Sequence, residues 1–386
     1  MSSRYEVDGR IRWTASNMRL LAAIREQFAR SLPFSGLRIG VSLHLEAKTA
    51  VLLETLTSGG ADVVAAGNYG TSQDDVVDYL VRRGIDARGS RFDDLETHRE
   101  VVASVANSAP DLLLDNGADL VAHSIERSEQ ILGGTEETTS GHNRLRTEFA
   151  GRVSFPVIVI NDSPLKAIAE NKHAVGQSVY ESLLRLTNLM PQGKRILVVG
   201  YGWCGRGIAQ YARANGAMVA VAELDEIKRL EAFLDAFEVG ALAELATEAD
   251  MVITATGSER VLGAEILEVL ASGALLANAG HFPNEIDVPA LERITVDRET
   301  MTDVIVRHHL GDARFVDLVA EGRMINLAGP GAKGNSIESM DLGFAMQARS
   351  LERVATGSDQ LAPGPQPVPD DINRSLAVAF VDAARR

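Results

Sequence analysis

A single cysteine, Cys204, serves the whole chain, which excludes an internal disulfide and any metal site built from several thiolates. No metal centre is expected. No stretch of about 18 consecutive apolar residues occurs, so no membrane-spanning helix is expected. The opening residues, MSSRYEVDGR, lack the apolar core of a signal peptide, and the expected setting is cytosolic. Positive charge is in short supply: 38 Lys and Arg against 53 Asp and Glu leave a net charge of −15. That balance argues against nucleic acid and anionic membrane surfaces as partners. No internal repeat is visible. With 45% hydrophobic and 24% charged residues the composition is ordinary for a globular protein. A length of 386 residues accommodates two domains, or three.

What the chain does contain centres on residues 194–225. An apolar run, Ile196 to Val199, enters Gly200-Tyr-Gly202-Trp203-Cys204-Gly205-Arg-Gly207, a helical pattern follows, and a second apolar run, Met218 to Ala222, ends on Glu223. Strand, glycine turn, helix, strand and acid in that order form a dinucleotide-binding unit. Gly200 permits the tight turn, Gly202 lets the backbone approach a pyrophosphate, and Gly205 allows close helix packing. The helix N-terminus offers free amides and partial positive charge to the phosphates. Glu223 follows Gly205 by 18 residues, where a carboxylate accepts the ribose hydroxyls of NAD and repels the extra phosphate of NADP.

Ahead of this unit, helical patterns at Met18–Leu32, Thr49–Thr57 and Gln73–Arg83 alternate with strand-like runs at Leu37–His44, Asp62–Ala66, Leu112–Asp115 and Phe155–Asn161. Alternation at this spacing predicts a doubly wound parallel sheet. Beyond the turn, further short strands are expected at Met251–Ala255, Ala274–Ala277, Ile294–Val296 and Met324–Leu327. The proline-rich Ala362–Pro369 reads as an extended surface connection, and Asp371–Arg385 as a terminal helix. The expected fold is α/β, with two Rossmann-like domains. Residues 1–175 and 334–360 would form a nucleoside domain, 176–333 an NAD domain, and 361–386 a C-terminal extension.

Ligands of open parallel sheets bind beyond the carboxyl ends of the strands. The polar residues there are His44, Asp115-Asn116 and Asn161-Asp162, with Glu136-Glu137-Thr138-Thr139 and Lys166, Glu170 and Asn171 in loops and turns. The second half adds Thr254, Thr256, His281-Phe282 and Asn326. Each also has a structural reading: a strand-end histidine as a hydrogen-bonder, Lys166 with Glu170 as a helix-surface ion pair, Glu136-Glu137 as a helix cap.

Ser42-Leu-His-Leu-Glu-Ala-Lys-Thr-Ala50, Leu114-Asp-Asn-Gly-Ala-Asp-Leu120, Glu136-Glu-Thr-Thr-Ser-Gly141, Asn161-Asp-Ser-Pro-Leu-Lys166, the glycine turn and Asn278-Ala-Gly-His-Phe282 together resemble the S-adenosylhomocysteine hydrolase family in its shorter form. The resemblance implies tightly held NAD that transiently oxidises a nucleoside 3′-hydroxyl. The resulting ketone acidifies the C4′ proton, the 5′ group leaves, water adds, and the ketone is reduced again. It further implies an adenine nucleoside as small-molecule partner and a homo-oligomer, tetramer or dimer. In catalytic positions it places His44, Asp115, Asn116, Glu137, Lys166, Glu170 and His281. Around the substrate it places Glu46, Lys48, Gln73, Phe282, Asn335 and Met340. Around NAD it places Thr138, Thr139, Ser140, Asn171, Gly200, Gly202, Trp203, Cys204, Gly205, Glu223, Thr256, Asn278 and Asn326. Lys166 would accept the 3′-hydroxyl proton, and burial could lower its pKa for that task.

Several positions depart from the family pattern. Asn116 stands where a second aspartate is usual, Glu170 is one methylene longer than the usual aspartate, and Pro283 follows Phe282 in place of an aspartate. Gly334-Asn335-Ser336 replaces a Gly-His-Pro segment, Glu46 and Lys48 replace a threonine and a glutamate, and the lysine–tyrosine tail is missing. Two alternatives therefore stand beside hydrolysis: a dehydratase leaving a 4′,5′-unsaturated nucleoside, as in nucleoside-antibiotic biosynthesis, and a non-catalytic NAD-binding regulator.

Overall fold

A computed structural model describes residues 2–280 and 283–385, and the expected site residues His281 and Phe282 lie outside them. Two compact units result, one of residues 1–167 and 337–386, the other of residues 168–336. The first contains β1 (Arg38–Leu43), β2 (Asp62–Gly67), β3 (Asp86–Arg88), β4 (Leu112–Asp115), β5 (Gly133–Glu136) and β6 (Pro156–Val159). The second contains β7 (Arg195–Val199), β8 (Met218–Ala222), β9 (Glu238–Val239), β10 (Met251–Thr254), β11 (Ala274–Asn278), β12 (Thr295–Thr302), β13 (Ile305–Leu310) and β14 (Phe315–Val319), and the chain then returns to the first as β15 (Gly364–Pro367).

Strand order explains where chemistry can gather. The first sheet runs β15-β6-β5-β4-β1-β2-β3 and every pairing in it is parallel. The chain leaves β1 towards β2 on one side and resumes with β4 on the other, so β1 and β4 flank a topological switch point. In the second sheet, ordered β12-β13-β14-β11-β10-β7-β8-β9, the same reversal falls between β7 and β10. Buried apolar runs hold both sheets: Ile39, Val41 and Leu43 in β1, and Ile196, Leu197, Val198 and Val199 in β7, are almost fully buried. Among the described residues, no helix is long and apolar enough to cross a membrane.

Several elements differ from the sequence expectation. β12, β13 and β14 form an antiparallel meander at the edge of the otherwise parallel second sheet. Met324–Leu327 forms no strand; Met324 makes one isolated bridge to Asn278, and glycines with positive φ at 322, 329 and 331 turn the chain around it. The proline-rich stretch is more than a connection, because Gly364–Pro367 pairs with β6 as the edge strand, where missing proline amides do least harm. A helix, Ser2–Asn17, precedes the expected one at Arg19–Ser31. β5, with the sequence Gly-Gly-Thr-Glu, has little β propensity. Its glycines serve close approach: a Cβ at Gly134 would lie 2.5 Å from the Leu113 carbonyl oxygen of β4.

Candidate active site

In the first unit the polar residues after β1, β2, β4, β5 and β6 meet along one edge of the sheet. Lys166 Nζ donates to Glu137 Oε1 at 3.3 Å. Glu137 Oε2 accepts from Asn116 Nδ2 at 3.1 Å, and Asn116 Oδ1 accepts from Asn68 Nδ2 at 3.1 Å. Ser42 donates to Asn68 Oδ1 at 3.2 Å. The Glu137 carboxylate only accepts, which fixes the Asn116 amide with Nδ2 towards it, and Asn116 Oδ1 in turn fixes the Asn68 amide. Asn116, Glu137 and Lys166 are buried. Burial pushes the Glu137 carboxyl up, but the Lys166 charge, the Asn116 amide and His44 together hold it below the ordinary glutamate range. His44 Nδ1 lies 2.6 Å from Thr71 Oγ1. When Thr71 gives its proton to the Asn68 carbonyl, 3.2 Å away, Nδ1 donates and Nε2 is left as an acceptor.

Asp115 stands apart from this chain. Its two oxygens accept the amides of Asn116 and Val121 at 2.9 and 2.8 Å, so both are spent on anchoring the turn. Burial pushes it up to about 7. Glu136 accepts the amides of Gly117, Ala118 and Thr138 and the Thr138 hydroxyl, and burial beside Asp115 pushes it up to about 8. Gly141 is required here, as a Cβ would lie 2.2 Å from the Glu136 carboxyl carbon. Thr138 caps the helix Thr139–Arg146 through Gly141 N, with Ser140 Oγ 3.0 Å from its hydroxyl. Glu46 and Lys48 form an ion pair of 3.1 Å, both largely buried. Gln73 accepts from Arg10 at 3.1 Å, and Met340 is half-buried in the helix Ile337–Gly357.

Lys166, Glu170 and Asn171 lie on one helix as expected, but Lys166–Ala174 is π-helical. Its i→i+5 hydrogen bonding rotates each residue back relative to an α-helix, and such segments recur at functional sites.

In the second unit Gly200 adopts φ +96°, and a Cβ on it would lie 2.8 Å from the Ala255 carbonyl oxygen and 3.0 Å from Thr256 Cγ2. Gly205 is held by the turn itself, since its Cβ would meet the Gly200 oxygen at 2.0 Å. The helix Trp203–Ala214 starts after Gly202, which provides no side-chain cap and around whose missing Cβ the space is open for 4 Å. That cradle fits a pyrophosphate. Trp203 and Cys204 form the helix's first turn. Glu223 accepts Tyr201 N at 2.6 Å and the amides of Leu224 and Asp225 at 2.8 and 2.9 Å, tying the glycine turn to the end of β8.

Asn278 is engaged within the fold: it accepts from Thr254 Oγ1 and Gly280 N and donates to the Gly280 and Gly322 carbonyls. Asn326 donates to Ser178, which donates to Asn335, while Asn326 Oδ1 is buried without a hydrogen-bond partner and so suits a ligand donor. Sequence reasoning missed Asn68, and it missed Glu285, whose buried carboxylate accepts the amides of Thr256 and Gly257 beside the glycine turn. Asn68 carried a usable signal, because it follows β2 as His44 follows β1; Glu285 carried none. Among the described residues, no three His, Cys, Asp or Glu side chains are grouped to hold a metal ion.

The comparisons with known proteins bear on the chain as a whole. The S-adenosyl-L-homocysteine hydrolase family model matches residues 7–130, and the model of that enzyme's NAD binding domain matches residues 171–332. Adenosylhomocysteinase of Archaeoglobus fulgidus is 42% identical over 374 residues, 95% of this chain and 92% of that protein. S-inosyl-L-homocysteine hydrolase of Methanopyrus kandleri is 41% identical over 374 residues, 95% of this chain and 88% of that protein. Adenosylhomocysteinase of Thermotoga maritima is 40% identical over 380 residues, 97% and 94% respectively. None of these three is named as a dehydratase or a regulatory protein.

Proposed function

The chain belongs to the S-adenosyl-L-homocysteine hydrolase family, and from that premise we propose that it converts S-adenosylhomocysteine and water to adenosine and homocysteine. It is an NAD-dependent enzyme. The observation that carries the proposal is the hydrogen-bonded chain Lys166–Glu137–Asn116–Asn68, a buried charged pair oriented by two amides at the carboxyl edge of a parallel sheet. Reversible oxidation of the ribose 3′-carbon is the chemistry that NAD supplies when bound. The neutral form of Lys166 takes the proton of the 3′-hydroxyl and so becomes the ammonium that pairs with Glu137. Glu137, kept ionised by Lys166, accepts a ribose hydroxyl and holds the sugar in register. His44 Nε2 moves a proton at the 5′ side. The assay is incubation of holoenzyme with S-adenosylhomocysteine and measurement of product masses. Adenosine and homocysteine are expected; an unchanged substrate sinks the reading. Native mass measurement of the same preparation tests the homo-oligomer.

The base decides between the two substrates that the relatives' names carry. Glu46 accepts from a 6-amino group and Lys48 donates to a 6-oxo group, so the balance between the two residues sets the preference between adenine and hypoxanthine. Lys48→Met is expected to shift kcat/KM towards the adenine substrate by about tenfold, the scale of one charge-assisted hydrogen bond left unmade. An unchanged ratio removes Lys48 from base selection.

NAD affinity rests partly on Glu223. Glu223→Ala is expected to weaken NAD by roughly 1.5–3 kcal/mol, through the ribose contact and through loss of the three amide bonds that shape the turn. Isothermal titration with NAD and NADP decides the point, and a wild-type preference for NADP contradicts it.

A further inference from the structure

Glu285 is fully buried in the second unit, on the turn that follows β11. Its Oε2 accepts the Thr256 amide and the Thr256 hydroxyl, each at 3.0 Å, and its Oε1 accepts the Gly257 amide at 2.6 Å. The main chain repeats the connection: Leu262 N donates to Glu285 O at 3.0 Å, Arg260 N to Asn284 O at 2.7 Å, and Asp287 N to Leu262 O at 3.1 Å. Gly280 makes room for the carboxylate, since a Cβ there would lie 1.6 Å from Glu285 Oε1. The Thr256 hydroxyl proton is thereby committed to Glu285, while the hydroxyl oxygen accepts Ser258 N at 3.0 Å.

What Glu285 holds is the wall of the glycine turn. The Ala255 oxygen and Thr256 Cγ2 are the atoms that the absent Cβ of Gly200 would meet, at 2.8 and 3.0 Å. The loop therefore presses on the turn at the one residue whose positive φ shapes it. We propose that Glu285 is a positioning residue for NAD: its carboxylate fixes Thr256–Gly257 against Gly200 and so sets cofactor affinity without touching the cofactor. This rests on NAD lying over the glycine turn.

The test is NAD binding to cofactor-stripped full-length protein, by equilibrium dialysis, for wild type, Glu285→Gln, Thr256→Val and the double variant. In Glu285→Gln an amide N–H replaces one acceptor oxygen opposite a backbone N–H, so the loop loses at least one charge-assisted hydrogen bond. The expected result is an NAD dissociation constant raised about 10- to 100-fold, with the KM for nucleoside substrate unchanged once NAD is saturating. Thr256→Val removes one of the three bonds and is expected to weaken NAD by less than about tenfold. In the double variant the two effects are expected to be non-additive, because both act through one bond network. Wild-type affinity in Glu285→Gln, or simple additivity, overturns the proposal. Should Glu285→Gln fail to fold, wild-type affinity in Thr256→Val overturns it instead. Wild-type protein that binds no NAD would refute the cofactor reading itself, a separate outcome.

Discussion

Lys166→Ala is expected to slow reduction of bound NAD by an adenine nucleoside by about 10²–10⁴-fold, the usual contribution of one general acid–base group. The side chain is 7% exposed and its ammonium lies 3.3 Å from Glu137 Oε1. At that burial, bulk water is a poor substitute for it as proton acceptor. The variant also leaves Glu137 buried without its counter-charge, and breaking a buried pair costs about 3–5 kcal/mol. The two effects separate by pH. In the wild type Glu137 titrates below the ordinary glutamate range, with burial opposing and Lys166 leading the groups that lower it. A depressed carboxylate contributes stability above its unfolded pKa of about 4.3, lost as pH falls through the folded value. Without Lys166 the burial effect is expected to win, which reverses the sign: Lys166→Ala loses stability as pH rises past about 4.3. Thermal unfolding at pH 5 and pH 8 checks this, and Lys166→Gln, which keeps a donor for Glu137, serves as the folded control. A wild-type rate of NAD reduction in either variant removes Lys166 from the chemistry.

The legible part of this protein was the part written in local pattern. Strand, glycine turn, helix, strand and acid are contiguous, so Gly200, Gly205 and Glu223 could be placed from spacing alone. His44, Asp115 and Asn116 follow apolar runs, and the strand-end rule found them, though it could not tell that Asp115 turns back onto the amides of Asn116 and Val121. Glu285 was illegible for a physical reason: its partners, Thr256 and Gly257, lie 29 and 28 residues away along the chain, and no periodicity links a buried acid to a loop at that distance. β5 was hidden because its two glycines are chosen for backbone clearance, not for strand propensity. The π-helical turn at Lys166 left no mark either, since α- and π-helices use the same residues and differ only in register.

Asn116→Asp is expected to create a titration that the wild type lacks. One aspartate oxygen would still accept from Asn68, while the other would face Glu137 Oε2 across the 3.1 Å now bridged by the Asn116 amide. Two carboxylates at that distance cannot both ionise cheaply, so the pair holds one proton and its upper pKa rises above the ordinary carboxylate range. Below that pKa the shared proton takes the place of the amide N–H and the site keeps its shape. Above it, a second negative charge competes for Lys166 and repels Glu137. Hydrolysis by Asn116→Asp is therefore expected to match or exceed the wild type on the acid side and to fall by at least about tenfold as pH rises through the pair's upper pKa, less than the 10²–10⁴-fold of losing a general acid–base group outright. The pH profile of kcat/KM for S-adenosylhomocysteine measures it, with product masses read at each pH. A profile identical to the wild type's shows that position 116 does not face the reacting carbons. A 4′,5′-unsaturated nucleoside from the wild type, replaced by adenosine in Asn116→Asp, would show that the asparagine stops the cycle before water adds, because an amide cannot deliver the proton that an aspartate can.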